Sequence, residues 1–428
     1  MSDFPNHILD ELAWRGLIHQ STDQSELAAH LREPRTLYCG FDPTAPSLHV
    51  GHFLPLMMLR RFQRFGHTPI AVVGGATGMI GDPSGKSEER NLLTQEELAR
   101  NIEGLRAQMQ RFLDFSGTNG AKLVNNYDWT APYRYLDFLR DIGKHVSVNA
   151  MMAKESVKAR LERPESGISY TEFSYQLLQA FDFAELYRRY GCTLQIGGSD
   201  QWGNITAGID LGRRLHGAQL YGLTCPLLTT SDGKKMGKTE RGALWLDPAR
   251  TSAYAFYQYW INVADADVGM CLRYLTELPR REIEALEAAQ RERPEERPAQ
   301  KALARWLTQF VHGAGGLAAA ERATAILFGA QIEQFSDAEL LEIFADVPSA
   351  QLTGAEWQKG VSIVDALVRT GLAASKGEGR RAIQGGAVAL NNRRVDADRM
   401  LADSDRASES VIVLRSGKKR YALLRINR

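Results

Sequence analysis

Between residues 36 and 228, short apolar runs that end in glycine or a polar turn alternate with longer segments of helical periodicity. Residues 36–40 form one such run. After the Asp42-Pro43 turn, Leu56, Leu59, Phe62 and Phe65 recur every three to four residues, up to Gly66. Residues 69–73 form a second run that breaks into Gly74-Gly75. Thr94 with Glu97 spells a capping box, opening a helix towards Phe112. Residues 170–190 predict a helix stopped by Gly191, and residues 192–196 and 220–228 predict strands. Strands alternating with helices at this spacing need long crossovers, so the expected class is α/β with a doubly wound parallel sheet.

Past residue 246 the strand signal stops. Residues 247–328 read as helical, with the charged, proline-punctuated stretch 291–298 as an exposed turn, and 329–355 as a loose connector. The tail changes character again. Residues 361–370 predict a helix ended by Gly371, and Ser375 with Glu378 caps a second one reaching Gly385. Residues 387–390 turn at Asn391-Asn392, and 411–414 turn at Ser416-Gly417 and return over 421–426. The expected domains are therefore 1–246, 247–328, a linker over 329–355, and 356–428.

Charge separates the tail from the body. Residues 351–428 hold 15 Lys/Arg against 8 Asp/Glu, whereas the other 350 residues hold 37 against 43. A basic tail on an acidic body points to a polyanion such as RNA, although a solubility tail has the same composition. Asp10, Glu11 and Arg15 interrupt any signal-peptide run, and no stretch approaches the roughly 20 apolar residues of a membrane span. The four cysteines are far apart with no C-x-x-C pair. That argues against zinc and a disulfide framework and fits a reducing cytoplasm.

Two motifs carry phosphate chemistry. His49-Val50-Gly51-His52 follows a strand and opens a helix, where unpaired N–H groups and the dipole suit phosphate. Gly51 lets a nucleoside pack on backbone, and the imidazoles can donate to phosphate oxygens. Two histidines at a helix start can equally be caps. Lys235-Met236-Gly237-Lys238-Thr239 leaves the end of another strand, behind a Ser231-Asp232-Gly233 turn expected to be mobile, and offers flexible cations for a departing pyrophosphate. The run from Gly74 to Ser87 is not a P-loop, because Ile80 stands where the first glycine is required. It remains a ligand-approaching loop, with Asp82 as an anion and Lys86 and Arg90 as phosphate contacts.

A third constellation concerns the other substrate. Tyr175, Gln179 and Asp182 lie at i, i+4 and i+7, on one helix face, and can hold an ammonium and a hydroxyl-bearing side chain. Asp200 and Gln201 follow a strand, where a carboxylate can bind ribose hydroxyls.

Together the motifs resemble the class I aminoacyl-tRNA synthetases, and within them the bacterial tyrosyl-tRNA synthetases. The resemblance rests on Tyr-Cys-Gly-Phe-Asp-Pro-Thr at 38–44, the His-Ile-Gly-His-type motif ending at His52, Gly-Asp-Pro-Ser-Gly-Lys at 81–86, residues 194–204 and the Lys-Met-Ser-Lys-Ser-type motif at 235–239. It implies a Rossmann-like catalytic domain, a helical domain and a small α+β RNA-binding domain shared with a ribosomal small-subunit protein. It implies activation of L-tyrosine by ATP, with Mg²⁺ accompanying the nucleotide, and tyrosyl transfer to tRNA(Tyr), by a cytoplasmic homodimer. Tyr38 and Asp182 would take the phenolic hydroxyl; Asp82, Tyr175 and Gln179 the ammonium; Gln201 the carboxylate end. Cys39, His52 and Asp200 would contact ribose, with Gly40, Asp42 and Gly51 also at ATP. Thr44 and His49 would stabilise the γ-phosphate side, while Lys86, Arg90, Lys235 and Lys238 close over pyrophosphate. Arg380, Arg381, Arg393, Arg394, Lys418 and Lys419 would face tRNA. Val50 replaces the motif's isoleucine, and Gly237 and Thr239 its serines, which is expected to loosen the loop. A tryptophanyl enzyme, another nucleotidyltransferase of the superfamily, and a non-catalytic RNA-binding protein on the same scaffold are the alternatives.

Overall fold

The apolar runs of the first half pair into one six-stranded sheet in the computed structural model, which describes residues 7–82, 93–154, 157–158, 161, 167–239, 242–417 and 420–427. The strands are β1 (Gln20–Ser21), β2 (Thr36–Phe41), β3 (Thr68–Val73), β4 (Lys122–Asn125), β5 (Cys192–Gly198) and β6 (Tyr221–Cys225), in the order β1-β6-β5-β2-β3-β4. β2 to β6 are parallel, and β1 closes the edge antiparallel to β6, with Gln20 opposite Thr224. β6 is buried throughout and β3 everywhere except Thr68, as a parallel sheet covered on both faces requires. The chain runs from β2 outwards to β4, then returns to β5 on the other side. The strand order therefore reverses between β2 and β5, at the point where open α/β sheets place their ligands.

The flanking helices begin and end on their local signals. Gln95–Phe112 opens on the expected capping box, with the Glu97 N–H donating to Thr94 Oγ1 at 3.2 Å and the Thr94 N–H to Glu97 Oε2 at 3.0 Å. Tyr170–Tyr190 is capped by Ser169 and stops at Gly191, whose φ is +61°. Its apolar face enters a core with Tyr38, Ile70, Val72, Phe183 and Leu220. There Phe181 meets Tyr133 and Phe138 edge to face at 5.2 and 5.5 Å, contacts worth about 0.5–1.5 kcal/mol each beyond burial.

Two buried arginines set where the next helices belong. Arg15 and Arg61 are 1% and 3% exposed. Arg15 donates to the carbonyls of Arg273 and Leu278, both at 2.8 Å, and Arg61 to those of Tyr274 at 2.6 Å and Thr276 at 2.9 Å. These are the orphan carbonyls at the end of helix Asp265–Leu275 and the turn beyond it, which the guanidinium charges also favour electrostatically. Burial pushes the Arg61 guanidinium down to about 9. Helix Val50–Arg64 is thus tied to helix Asp265–Leu275, and the expected boundary at 246 gives way. Contacts divide the chain into residues 1–252 with 259–307, and residues 253–258 with 308–428. The helices expected to form a domain of their own are shared between these two units. The long helix Pro298–Leu327 spans the division and is broken at Gly313, with φ +76°.

A hairpin of β7 (Lys238–Thr239) and β8 (Gly242–Ala243) completes the first unit. The second holds a five-stranded sheet of β9 (Ser349–Leu352), β10 (Val388–Leu390), β11 (Arg393–Arg394), β12 (Val411–Ser416) and β13 (Arg420–Ile426), in the order β11-β10-β12-β13-β9. β10 and β11 turn at Asn391 and Asn392, both with positive φ as a type I′ turn requires. Alternation along β12 sends Ile412 and Leu414 to a core with Ile363, Leu367 and Ile383, and Val411 and Val413 to one with Ile326, Leu340 and Phe344. The expected connector over 329–355 is therefore structured. Helix Asp337–Ile343 covers one face of the sheet, and β9 pairs parallel with β13.

Candidate active site

At the β2/β5 switch point lies a cavity of about 380 Å³. Every expected residue of the tyrosine and ATP site among the described residues lines it: Tyr38, Cys39 and Gly40 from the end of β2, Asp42 and Thr44 from the following turn, His49, Gly51 and His52 from the helix start, and Asp82. Tyr175, Gln179 and Asp182 enter from helix Tyr170–Tyr190, Asp200 and Gln201 from the turn after β5, and Lys235 and Lys238 from the lysine loop. Lys86 and Arg90 lie outside the described residues. A second cavity of about 400 Å³, between Arg15 and Ala299, holds none of them and is bordered by the Arg273–Glu287 ion pair.

One end of the main cavity is built for a hydroxyl. Asp182 is 4% exposed, accepting from Trp129 Nε1 at 2.8 Å and Asn126 Nδ2 at 2.9 Å. Burial pushes its carboxyl up to about 7, against the pull of those two donors. Tyr38, whose charge would interact with Asp182, is 1% exposed, and its hydroxyl has no hydrogen-bond partner among the described residues. A buried orphan hydroxyl costs free energy unless a ligand completes it. Gln195 Oε1, on β5, is unsatisfied in the same way.

Beside this end the carboxylates gather. Asp42 accepts from the Tyr175 hydroxyl at 2.9 Å and from Thr77 Oγ1 at 2.7 Å. Gln201 Nε2 donates to Asp82 Oδ2 at 2.8 Å and Gln179 Nε2 to Gln201 Oε1 at 3.1 Å, while Asn204 Nδ2 donates to Gln179 Oε1 at 2.9 Å. Asp42, expected at ATP, thus joins the polar network around Tyr175. Burial, reinforced by Asp82, raises the Asp200 carboxyl. So much negative charge in one half-buried space suits an ammonium group.

The other end suits an anion. His49 caps helix Val50–Arg64, its Nδ1 accepting from the Gly51 N–H at 3.0 Å, and His52 Nδ1 takes the His49 N–H at 3.3 Å. The rings stack at 4.0 Å. A β-carbon on Gly51 would lie 2.7 Å from the His49 ring, so only glycine permits this stack. With both Nδ1 atoms accepting, Nε2 is the nitrogen of each ring that can carry a donatable proton. The two readings of the histidine pair, as caps and as phosphate donors, are compatible on one structure.

The lysine loop is tied to this helix start. The Val50 N–H donates to Leu244 O at 3.0 Å and the Leu246 N–H to Leu48 O at 2.8 Å. Lys234 pairs with Asp232 at 2.7 Å, which separates it from Lys235 and Lys238. In the second unit, Arg380, Arg381, Arg393 and Arg394 are all exposed, with Arg393 paired to Glu333 and Arg394 to Asp396. Lys418 and Lys419 lie outside the described residues.

Sequence reasoning missed Asn126, Trp129, Thr77 and Gln195 as parts of the site. Asn126 follows the end of β4, so the strand-end rule that found Asp200 could have found it. Trp129 and Gln195 carry no local signal.

A family model described as tRNA synthetases class I (W and Y) matches residues 30–329, and one described as the tyrosine--tRNA ligase SYY-like C-terminal domain matches residues 339–424. The tyrosine--tRNA ligase of Rhodopirellula baltica is 59% identical over 428 residues, covering 99% of this chain and 98% of its own. That of Roseiflexus castenholzii is 54% identical over 98% of this chain and 99% of its own. Among solved structures, a C-terminally truncated mitochondrial tyrosyl-tRNA synthetase of Aspergillus nidulans aligns with a TM-score of 0.69 at 31% identity, over 76% of this chain and 95% of that one. A tryptophanyl-tRNA synthetase from Encephalitozoon cuniculi aligns with a TM-score of 0.53 at 14% identity, over 78% of this chain and 90% of that one, which shows a shared fold alone.

Proposed function

The chain belongs to the class I tRNA synthetases of the tryptophan and tyrosine type, and from that premise we propose that it activates L-tyrosine with ATP, releasing pyrophosphate, and passes the tyrosyl group to the 3′ end of tRNA(Tyr). The observation that carries the choice of amino acid is the unsatisfied Tyr38 hydroxyl beside Asp182. A phenol placed there donates to the carboxylate and accepts from Tyr38. Phenylalanine would leave both buried groups unpaired. Tyrosine activation is the standing example of this asymmetry, with phenylalanine rejected by about 10⁵ without editing.

The ammonium is held by Asp82, Tyr175 and Gln179, and the carboxylate end by Gln201. The carboxylate, already ionised at pH 7, attacks the α-phosphorus, and the bond to the pyrophosphate oxygen breaks. No protein base or nucleophile is needed, so the residues act by positioning and by stabilising charge. His49 and Thr44 donate on the γ-phosphate side. Cys39, His52 and Asp200 hold the ribose, with Gly40 and Gly51 leaving room for the nucleoside. Lys235 and Lys238, with Lys86 and Arg90, take the leaving charge. A terminal ribose hydroxyl of tRNA then attacks the tyrosyl carbonyl and AMP leaves. Mg²⁺ is assigned to the phosphates of ATP, which it accompanies.

Arg380, Arg381, Arg393 and Arg394, with Lys418 and Lys419, are assigned to tRNA backbone, which their exposure and the basic tail support. A homodimer is assigned because Tyr135, Leu136, Val148 and Tyr170 are 57–75% exposed on neighbouring stretches of the first unit. The buried free cysteines suit a reducing cytoplasm, and no helix among the described residues is long and apolar enough to cross a membrane.

Pyrophosphate exchange with tyrosine, tryptophan and phenylalanine in turn tests the proposal. Exchange is expected with tyrosine alone. Exchange with tryptophan, or none with any of the three, would refute it.

A further inference from the structure

The lysine loop departs from its family signature at Gly237, and the histidine motif departs at Val50. These two positions touch. Gly237 has φ +79°, and a β-carbon there would lie 2.8 Å from Val50 Cβ and 3.1 Å from Val50 Cγ1. Any other residue would be strained in backbone and crowded against the helix start. The Gly237 N–H donates to the Tyr259 hydroxyl at 2.8 Å, and Gly237 O accepts from the Leu244 N–H at 2.8 Å. Met236 is 5% exposed, with its sulfur 3.7 Å from that of Cys271. Upstream, the Ser231 N–H donates to Asp267 Oδ1 at 2.8 Å. Asp267 and Cys271 both stand on helix Asp265–Leu275, whose far end is fastened by Arg15 and Arg61.

We propose that Tyr259, through its hydrogen bond to the Gly237 N–H, and Val50, against which Gly237 packs, form a latch that holds Lys235 and Lys238 at the ATP cavity, making Tyr259 a positioning residue for adenylate formation. The inference rests on the tyrosine-activating reading above. Its physical basis is that Met236 and Gly237 are buried and anchored while the lysines on either side of them both line the cavity. Fixing the central pair fixes the base of both cationic side chains. A lysine carries about 2 kcal/mol of rotamer entropy, so a backbone already in place leaves only the side chains to be ordered when pyrophosphate departs. The expected loosening of the loop by glycine is thus reversed, because here glycine is what allows the backbone to approach Val50 and meet Tyr259.

Tyr259→Phe removes the acceptor and keeps the ring. Single-turnover adenylate formation at saturating ATP and tyrosine should slow roughly threefold to tenfold, the usual weight of one hydrogen bond. Tyrosine Kd and transfer from preformed adenylate to tRNA should stay unchanged, and amide hydrogen exchange over residues 235–239 should quicken. Gly237→Ala should slow the same step roughly tenfold or more. An unchanged adenylate rate in folded Tyr259→Phe overturns the latch, as does an equal loss in tyrosine binding, which would mark Tyr259 as merely structural. Absence of tyrosine-dependent exchange in the unsubstituted protein overturns the functional reading itself, and the latch with it.

Discussion

His49 and His52 divide their nitrogens between fold and chemistry. Each uses Nδ1 to accept from a backbone N–H at the helix start, and that hydrogen bond sets the tautomer with the donatable proton on Nε2, the nitrogen assigned to the nucleotide in the proposed function. Asp182 makes a comparable compromise. Burial among apolar side chains raises its carboxyl to about 7, yet its proposed role requires the anion. Because this folded value lies above the ordinary 3.8, the group lends the fold stability at pH below about 4 that is lost as pH rises through 7. Tyrosine binding runs the other way, since the phenol donates to the carboxylate. Tyrosine Kd should rise about tenfold per pH unit as pH falls below 7 and level off above it, measured by equilibrium dialysis between pH 5.5 and 8.5. A flat profile would remove Asp182 as the hydroxyl anchor. The spacing of Tyr175, Gln179 and Asp182 was legible because one helix carries all three. The place of Asn126 just past β4 was legible by the same strand-end rule as Asp200, but its bond to Asp182, across 56 residues of chain, was not.

At the scale of elements, local signals and outcomes agree wherever the decisive contact is local. Ser169 and Gly191 bound a helix, Thr94 and Glu97 open another, and Asn391-Asn392 turns a hairpin. They part where pairing is remote. β9 has only four residues and gains its place by lying parallel to β13, more than 70 residues later, so no window of sequence around it could reveal a strand. Helix Tyr135–Asp141 has no buried residue of its own and shows Leu136 at 75% exposure. An element like this needs another surface, and the proposed homodimer supplies it. Leu136→Asp should shift sedimentation equilibrium towards monomer at micromolar concentration. A dimer constant unmoved by that substitution would place the interface elsewhere.

For the whole molecule, the charge split at residue 351 does not follow the structural one, because the second unit also takes in residues 308–350, which hold 6 Asp/Glu against 1 Lys/Arg, so the basic excess belongs to residues 351–428 alone. The unit boundary matters for how the division of labour is tested. Cutting at residue 351 would remove two of the four residues of β9, with β13 beside it, and uncover the core around Leu340 and Phe344. Point substitutions avoid that. Arg380→Ala with Arg381→Ala should weaken tRNA charging and lower the slope of log K against log salt by about two, one per lost phosphate contact. Pyrophosphate exchange should be unaffected. An unaltered salt slope would take these two residues off the RNA surface.

The sequence by itself determined the doubly wound sheet, the histidine helix start, the lysine loop and the polar face of helix Tyr170–Tyr190, because each is written in residues close together in the chain. Only the tertiary structure decided that helix Asp265–Leu275 belongs with the sheet, that residues 329–355 complete the tail, and that Gly237 anchors the lysine loop. Those outcomes depend on Arg15, Arg61, β13 and Tyr259 meeting partners far away in sequence, and such contacts leave no period, cap or turn to be read along the chain.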